Sequence, residues 1–219
     1  MLRLYYAVPT GDLGAASSES FSAYRKNRLF SQRRPEDRTL SMAAELLLMH
    51  AVKSLKPDCS LPLRLQTNAF GKPMLENDGL HFSLSHTTGF VVCAIGDREL
   101  GVDVEKTRTY REALVRRFFC PEEQAFLGRS ADSDEDFTVL WTLKESYLKA
   151  LGCGLNRPLN SFCVCLEPRP HLKDDFETGF WYARLKEAHV SLCVPGDPCP
   201  SPELVEELVL PRDANQREL

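Results

Sequence analysis

The signals for secondary structure run through this chain twice in the same order, and no other feature of the sequence limits the fold as much. A strand-like run from Leu2 to Val8 opens the first half, followed by helical stretches at Ser17–Phe30 and Pro35–Leu55. In the second of these, Leu40, Ala43, Ala44, Leu47 and Ala51 recur at three- and four-residue intervals, which marks one buried helix face. Strand signals at Leu63–Thr67, His81–Ser85 and Phe90–Ile95 close the half, with Gly89 and Gly96 as punctuation. The series restarts with a strand at Leu100–Glu105, helical stretches at Arg111–Leu127 and Glu135–Leu151, and strands at Ser161–Leu166, Gly179–Leu185 and Val190–Val194. This predicts an α+β fold, a pseudo-dimer of two similar halves, each a small antiparallel sheet with packed helices. The halves are expected at residues 1–98 and 99–195. Residues 196–219 read as a polar, proline-rich tail with a short helix around Glu203–Leu208 and a frayed end.

A chain of 219 residues with 43% hydrophobic and 26% charged residues can bury a core of its own. Its net charge of −4 argues against a nucleic-acid partner. No apolar run approaches the roughly 18 residues of a membrane span, and the N-terminus lacks the pattern of a signal peptide. A cytoplasmic protein is therefore expected. Eight cysteines invite a disulfide or zinc reading. However, Cys59, Cys93, Cys120, Cys153, Cys163, Cys165, Cys193 and Cys199 contain no CxxC pair, and they are expected to be packing residues.

Three segments carry chemistry. In Gly101-Val102-Asp103-Val104-Glu105 the two-residue period of a strand puts both acids on one face. Adjacent carboxylates repel unless a proton or cation joins them, and oxygen ligands of this kind suit Mg²⁺; an exposed edge strand bearing two ordinary acids is the alternative. In Trp141-Thr142-Leu143-Lys144-Glu145-Ser146-Tyr147-Leu148-Lys149, Trp141, Lys144, Glu145 and Lys149 fall within an arc of roughly 140° at about 100° per residue. Glu145 and Lys149 form either a surface ion pair or part of a site for a metal and phosphates. In Phe82-Ser83-Leu84-Ser85-His86-Thr87, His86 can donate to an anionic oxygen or simply occupy a turn. His50, His81, His171 and His189 read as structural. Gly71-Lys72-Pro73 gives a turn with one projecting ammonium.

Taken in order, Phe70-Gly71-Lys72-Pro73, Phe82-Ser83-Leu84-Ser85-His86, Gly101-Val102-Asp103-Val104-Glu105-Lys106, Arg117-Phe118-Phe119 and the run from Trp141 to Leu155 resemble the 4′-phosphopantetheinyl transferases of the Sfp type. The resemblance implies an active site at the interface of the two halves. It also implies transfer of the phosphopantetheine arm of coenzyme A to a serine of an apo acyl-carrier or peptidyl-carrier protein, with release of 3′,5′-ADP. By the same resemblance Asp103, Glu105 and Glu145 hold Mg²⁺. Lys149 and His86 meet the phosphates, and Lys72, Pro73, Ser85 and Lys144 are further coenzyme A contacts. Arg25, Arg28 and Arg38 are candidates for the 3′-phosphate, with Arg38 the better placed. Glu145 or Glu123 takes the serine proton. Arg111, Arg116, Arg117, Phe118 and Phe119 are candidate carrier contacts. A monomer is expected, because a two-half chain already contains the interface that smaller relatives make by association. The competing readings are another Mg²⁺-dependent phosphoryl transferase, weakened by the lack of a GxxxxGK[ST] loop, and a non-catalytic carrier-binding domain.

Overall fold

The computed structural model describes residues 1–10, 13, 19–76 and 79–210. The first half lays β1 (Leu2–Ala7), β5 (Phe90–Gly96) and β4 (His81–Thr87) side by side as antiparallel neighbours. Helices α1 (Ala23–Ser31) and α2 (Pro35–Leu55) precede a short hairpin of β2 (Leu65–Thr67) and β3 (Pro73–Leu75). In the second half, β6 (Gly101–Lys106) pairs with β10 (Ala188–Cys193). The sheet then runs on through β9 (Asp175–Leu185), β8 (His171–Leu172) and β7 (Val164–Cys165). Its helices are α3 (Glu112–Phe118), α4 (Pro121–Leu127) and α5 (Ser133–Leu151).

The two sheets pack on each other through apolar faces, and the outer face of each is covered by a long helix, which sets the layering. Tyr5, Val91, Cys93 and Ile95 pack under α2 through Ala44, Leu47, Leu48 and Ala51. The opposite face, with Leu4, Phe90, Val92 and Ala94, meets Val102, Val104, Val190 and Leu192 of the second sheet. That second sheet is covered on its far side by Phe137, Leu140, Leu143 and Leu148 of α5. The expected α+β class is therefore observed, with the two sheets packed on each other and a long helix outside each.

Several expectations are corrected. Residues 203–208 are not helical: β11 (Leu204–Glu207) adds to β1 in parallel, using an alternation of apolar and acidic side chains. The expected helix over 111–127 is broken at Cys120, where Pro121 starts α4 and cannot donate the hydrogen bond needed to continue α3. The first helix begins at Ala23, capped by the Ser22 hydroxyl on Arg25 N at 3.2 Å. Residues 17–18 of the expected helix and residues 211–219 of the expected frayed end lie outside the described residues.

The cysteine reading is corrected too. Cys120 and Cys163, which lack any short-range spacing motif, are joined as a disulfide with Cα atoms 5.7 Å apart. The other six cysteines are free thiols. Because the bond spans 43 positions, it restricts the unfolded chain strongly. Reduction, or the Cys120→Ser/Cys163→Ser double variant, is expected to lower the unfolding free energy by about 2–4 kcal/mol. Denaturant titration with and without a thiol reductant reads this directly; coincident midpoints would show that the bond contributes nothing.

Candidate active site

The site lies along the seam where the edge strand of the first sheet, β4, meets the edge strand of the second, β6. Two rows of side chains with period two face each other across it. The Ser83 hydroxyl accepts the Val102 N–H at 3.0 Å, Ser85 donates to Asp103 Oδ1 at 2.8 Å, and Thr87 donates to Glu105 Oε2 at 3.0 Å. The same alternation that sends Val102 and Val104 into the core therefore aligns both acids with a row of hydroxyls.

Helix α5 approaches this seam closely because of one glycine. A Cβ on Gly101 would sit 2.0 Å from Ser146 O and 2.2 Å from Ala150 N, so any larger residue would push the helix off β6. The helix ends at Gly152 in the left-handed conformation (φ 64°), where its carbonyl accepts Asn68 Nδ2 at 2.8 Å. This places Glu145 and Lys149 over Asp103 and Glu105. Lys149 Nζ donates to Asp103 Oδ1 at 2.6 Å and to Ser85 Oγ at 2.7 Å. Among the described residues no hydrogen-bond donor reaches the Glu145 carboxylate, whereas Asp103 and Glu105 each accept. Burial, then repulsion from Asp103, pushes the Glu145 carboxyl above its ordinary value despite Lys149. Burial also raises Glu105, with Asp103 adding to the shift and Thr87 and Arg108 opposing it. Three crowded acids, two of them held toward protonation, form a hard all-oxygen donor set whose charge a divalent cation would relieve. The three are not gathered as tightly as the ligands of a closed metal site. Among the described residues, the trio with ligand atoms within 4.8 Å of one another is Cys120, Glu122 and Cys163. Two of these are bonded to each other, and Glu122 pairs with Lys173.

Beside the acids opens a cleft of about 290 Å³ between α1, the β2–β3 hairpin, β4 and the end of α5. Arg25, Arg28, Lys72, Pro73, His86 and Lys149 line it, together with Tyr24 and Phe70. His86 is exposed on the cleft wall, where partial desolvation by the surrounding side chains, followed by the charges of Lys149, Arg25 and Arg28, lowers its pKa and favours the neutral imidazole with one N–H.

Not every expected residue reaches the cleft. Arg38 lies outside its lining, whereas Arg28 is on the wall with its guanidinium beside Tyr24. Arg25 is buried and mostly committed, donating to Glu45 Oε2 at 3.2 Å and Ser41 Oγ at 2.9 Å. The Lys72 ammonium is held by Glu99, Leu100 O and Ala150 O at 2.9, 3.3 and 3.2 Å, so its stem rather than its charge faces the cleft. Ser85 turns to Asp103 instead of the opening, and Ser83 takes its place on the wall. Glu123 and Lys144 are removed from the site altogether. Their side chains are each 1% exposed and paired with one another, with Lys144 Nζ on both carboxylate oxygens at 2.7 and 2.8 Å. Cys120 N and Val164 N complete the shell of Glu123, and Phe162 O takes the third ammonium proton. Phe119, an expected surface contact, is 1% exposed and packs in the core.

Two contributors escaped sequence reading. Thr87 is the third member of the period-two hydroxyl row, and that spacing was available to find it. Arg108, whose Nη1 lies 3.3 Å from Glu105 Oε1, sits in a loop with no local signal.

Residues 99–194 match the family described as the 4′-phosphopantetheinyl transferase superfamily. The 4′-phosphopantetheinyl transferase gsp of Aneurinibacillus migulanus is 33% identical over 131 residues, covering 59% of this chain and 55% of the relative. The 4′-phosphopantetheinyl transferase Sfp of Bacillus subtilis (strain 168) is 37% identical over 107 residues, 48% of each chain. A crystal structure of Thermotoga maritima holo-(acyl-carrier-protein) synthase (AcpS) aligns at 21% identity with a TM-score of 0.39, over 44% of this chain and 61% of that one. The chain spans about half the length of the curated relatives it matches.

Proposed function

We propose, from the premise that residues 99–194 of this chain belong to the 4′-phosphopantetheinyl transferase superfamily, that the protein transfers the phosphopantetheine arm of coenzyme A to a serine of an apo acyl- or peptidyl-carrier protein. The observation that carries the reading is the conjunction at the seam. Three acids crowd together beside the Lys149 ammonium, which with the His86 imidazole and the Arg28 guanidinium lines the adjoining cleft.

In this reading the cleft takes coenzyme A and the seam takes its pyrophosphate. The serine hydroxyl attacks the β-phosphorus, the bond to the bridging oxygen of the nucleotide side breaks, and 3′,5′-ADP leaves. Asp103, Glu105 and Glu145 would hold Mg²⁺, which when bound supplies charge neutralisation for the pyrophosphate oxygens. The chain's own groups do the rest. Lys149, anchored by Asp103 and Ser85, faces the developing phosphate charge. His86 offers its N–H to a pyrophosphate oxygen. Glu145, the acid to which no hydrogen-bond donor among the described residues is committed, receives the serine proton through water. Glu123, enclosed by three donors, is set aside as a base. For the carrier, Arg111 and Arg117 are exposed beside the half-buried Phe118 and give an acidic partner a local basic surface. The protein is read as cytoplasmic and monomeric; among the described residues no helix is long and apolar enough to cross a membrane.

The test is intact-mass measurement of apo acyl- and peptidyl-carrier proteins incubated with the protein, coenzyme A and Mg²⁺. Gain of one phosphopantetheine on at least one carrier is expected, and no adduct on several unrelated carriers would refute the reading. A finer outcome follows from the cleft wall. Arg28→Ala should weaken binding of coenzyme A by about tenfold while leaving 3′-dephospho-coenzyme A nearly unaffected, as for loss of one charge-assisted hydrogen bond. Arg38→Ala should affect neither. Calorimetric titration with both ligands measures this, and equal losses would take the 3′-phosphate away from Arg28.

A further inference from the structure

We infer that Arg108 is a positioning residue for Glu105, clamped on the face of Trp141 so that it orients the carboxylate toward the bound cation. The inference rests on the reading of Asp103, Glu105 and Glu145 as cation ligands. Arg108 follows the end of β6, and its backbone is pinned to α5: its N–H donates to Thr138 Oγ1 at 2.9 Å, and that hydroxyl donates in turn to Asp134 O at 2.7 Å. From this anchor the guanidinium lies over the Trp141 indole, with Cζ 5.0 Å from the ring centroid. The indole is itself fixed, edge-on to Phe118 and wedged against Phe119 and Phe137. The outer edge of the guanidinium then reaches Glu105 Oε1 at 3.3 Å.

Glu105 is thus held from two sides, by Arg108 on one oxygen and by Thr87 on the other at 3.0 Å. Each carboxylate oxygen has two acceptor directions, so one remains open on each after these bonds. A carboxylate tethered at both oxygens keeps one orientation, and the open directions stay pointed where a cation is shared with Asp103 and Glu145. A planar guanidinium lies flat on the ring and donates along its own plane in a fixed direction, whereas an ammonium over a ring has no plane to fix the direction in which it donates.

An opposing effect exists, because a cation beside a metal ligand also repels the metal. The Arg108 side chain is 39% exposed, so solvent and salt weaken that repulsion, whereas loss of orientation is not screened. The net effect of losing Arg108 is therefore weaker cation binding. Partners that orient a metal ligand typically contribute 10–100-fold to affinity, and an exposed one belongs at the low end.

The experiment uses Mn²⁺ as a paramagnetic substitute for Mg²⁺, with free Mn²⁺ followed by electron paramagnetic resonance in the absence of coenzyme A and carrier. Arg108→Ala is expected to weaken Mn²⁺ binding about tenfold. Arg108→Lys should do the same, although it preserves the charge. Trp141→Leu, checked for fold by circular dichroism, should match them, and the Arg108→Ala/Trp141→Leu pair should be no worse than either alone because both remove one clamp. If the wild type binds Mn²⁺ and Arg108→Ala binds it equally well or more tightly, the positioning role is overturned while the cation site stands. If Arg108→Lys binds like the wild type, charge and not the stacked geometry is what counts, and the clamp is overturned. If the wild type binds no Mn²⁺, the cation reading of the three acids and this inference fall together.

Discussion

Asp103→Ala is expected to reduce phosphopantetheine transfer by at least about 10³-fold, with little loss of stability. Asp103 is the node of the seam: its Oδ1 receives both the Lys149 ammonium and the Ser85 hydroxyl, at 2.6 and 2.8 Å. Removing it deletes one proposed cation ligand and frees Lys149, so two sources of charge stabilisation are lost together. Single groups of this kind are each worth about 10²–10³ in rate. The folding penalty stays small because Lys149 is 31% exposed, and ion pairs with a partner in solvent contribute about 0–1 kcal/mol. Asp103→Asn separates charge from geometry. Its side-chain oxygen can still accept from Lys149 and Ser85, yet it carries no negative charge, so its transfer rate should fall nearly as far as that of alanine. The checks are single-turnover transfer rates read by intact mass, with thermal melts on the same samples. An asparagine variant within tenfold of wild type would mean that Asp103 only orients Lys149 and does not serve as an anionic ligand.

The parts of this molecule governed by local repetition were readable from the sequence. The period-two alternation in Gly101–Glu105 put Asp103 and Glu105 on one face, and they do share the face under α5. The three- and four-residue spacing from Leu40 to Ala51 announced α2 and the side it buries. What escaped was set by partners distant in sequence. Lys144 and Lys149 read as neighbours on one helical arc, yet Lys144 turns into the interior to meet Glu123 and Lys149 turns out to meet Asp103. A wide arc does not say which edge of it a second sheet will cover. Cys120 and Cys163 carry no spacing motif because they are 43 positions apart and meet only when the start of α4 folds against β7, where Val164 N donates to Glu123. The residues 203–208 became a strand because β1 offered a free edge, and tertiary context overrode a weak helical signal.

Lys144→Met is expected to destabilise the protein by about 3–5 kcal/mol, the cost of leaving a buried charge without its counter-ion. Lys144 and Glu123 are both sealed from solvent, and all three ammonium protons are placed, on the two Glu123 oxygens and on Phe162 O. Methionine fills much of the space of the lysine stem between Phe119 and Phe162 but leaves Glu123 facing only the N–H groups of Cys120 and Val164. Two measurements distinguish this account from simple loss of packing. Pairing Lys144→Met with Glu123→Gln removes the orphaned charge, although the single amide oxygen can accept from only one of the two N–H groups that Glu123 holds on separate oxygens, so the double variant should recover about 1–2 kcal/mol relative to Lys144→Met. Acidification should also narrow the gap between Lys144→Met and wild type, because burying the orphaned carboxylate costs least when it is protonated. Denaturant titrations of the three proteins at two pH values provide both. The same variant decides the role of Lys144 at the site. At a temperature where Lys144→Met remains folded, its kcat/KM per folded molecule should stay within about threefold of wild type, as for a residue that touches no reacting group. A large fall in kcat for folded Lys144→Met would instead place the ammonium in the chemistry, one residue from Glu145, and would require Glu123 to release it when coenzyme A binds.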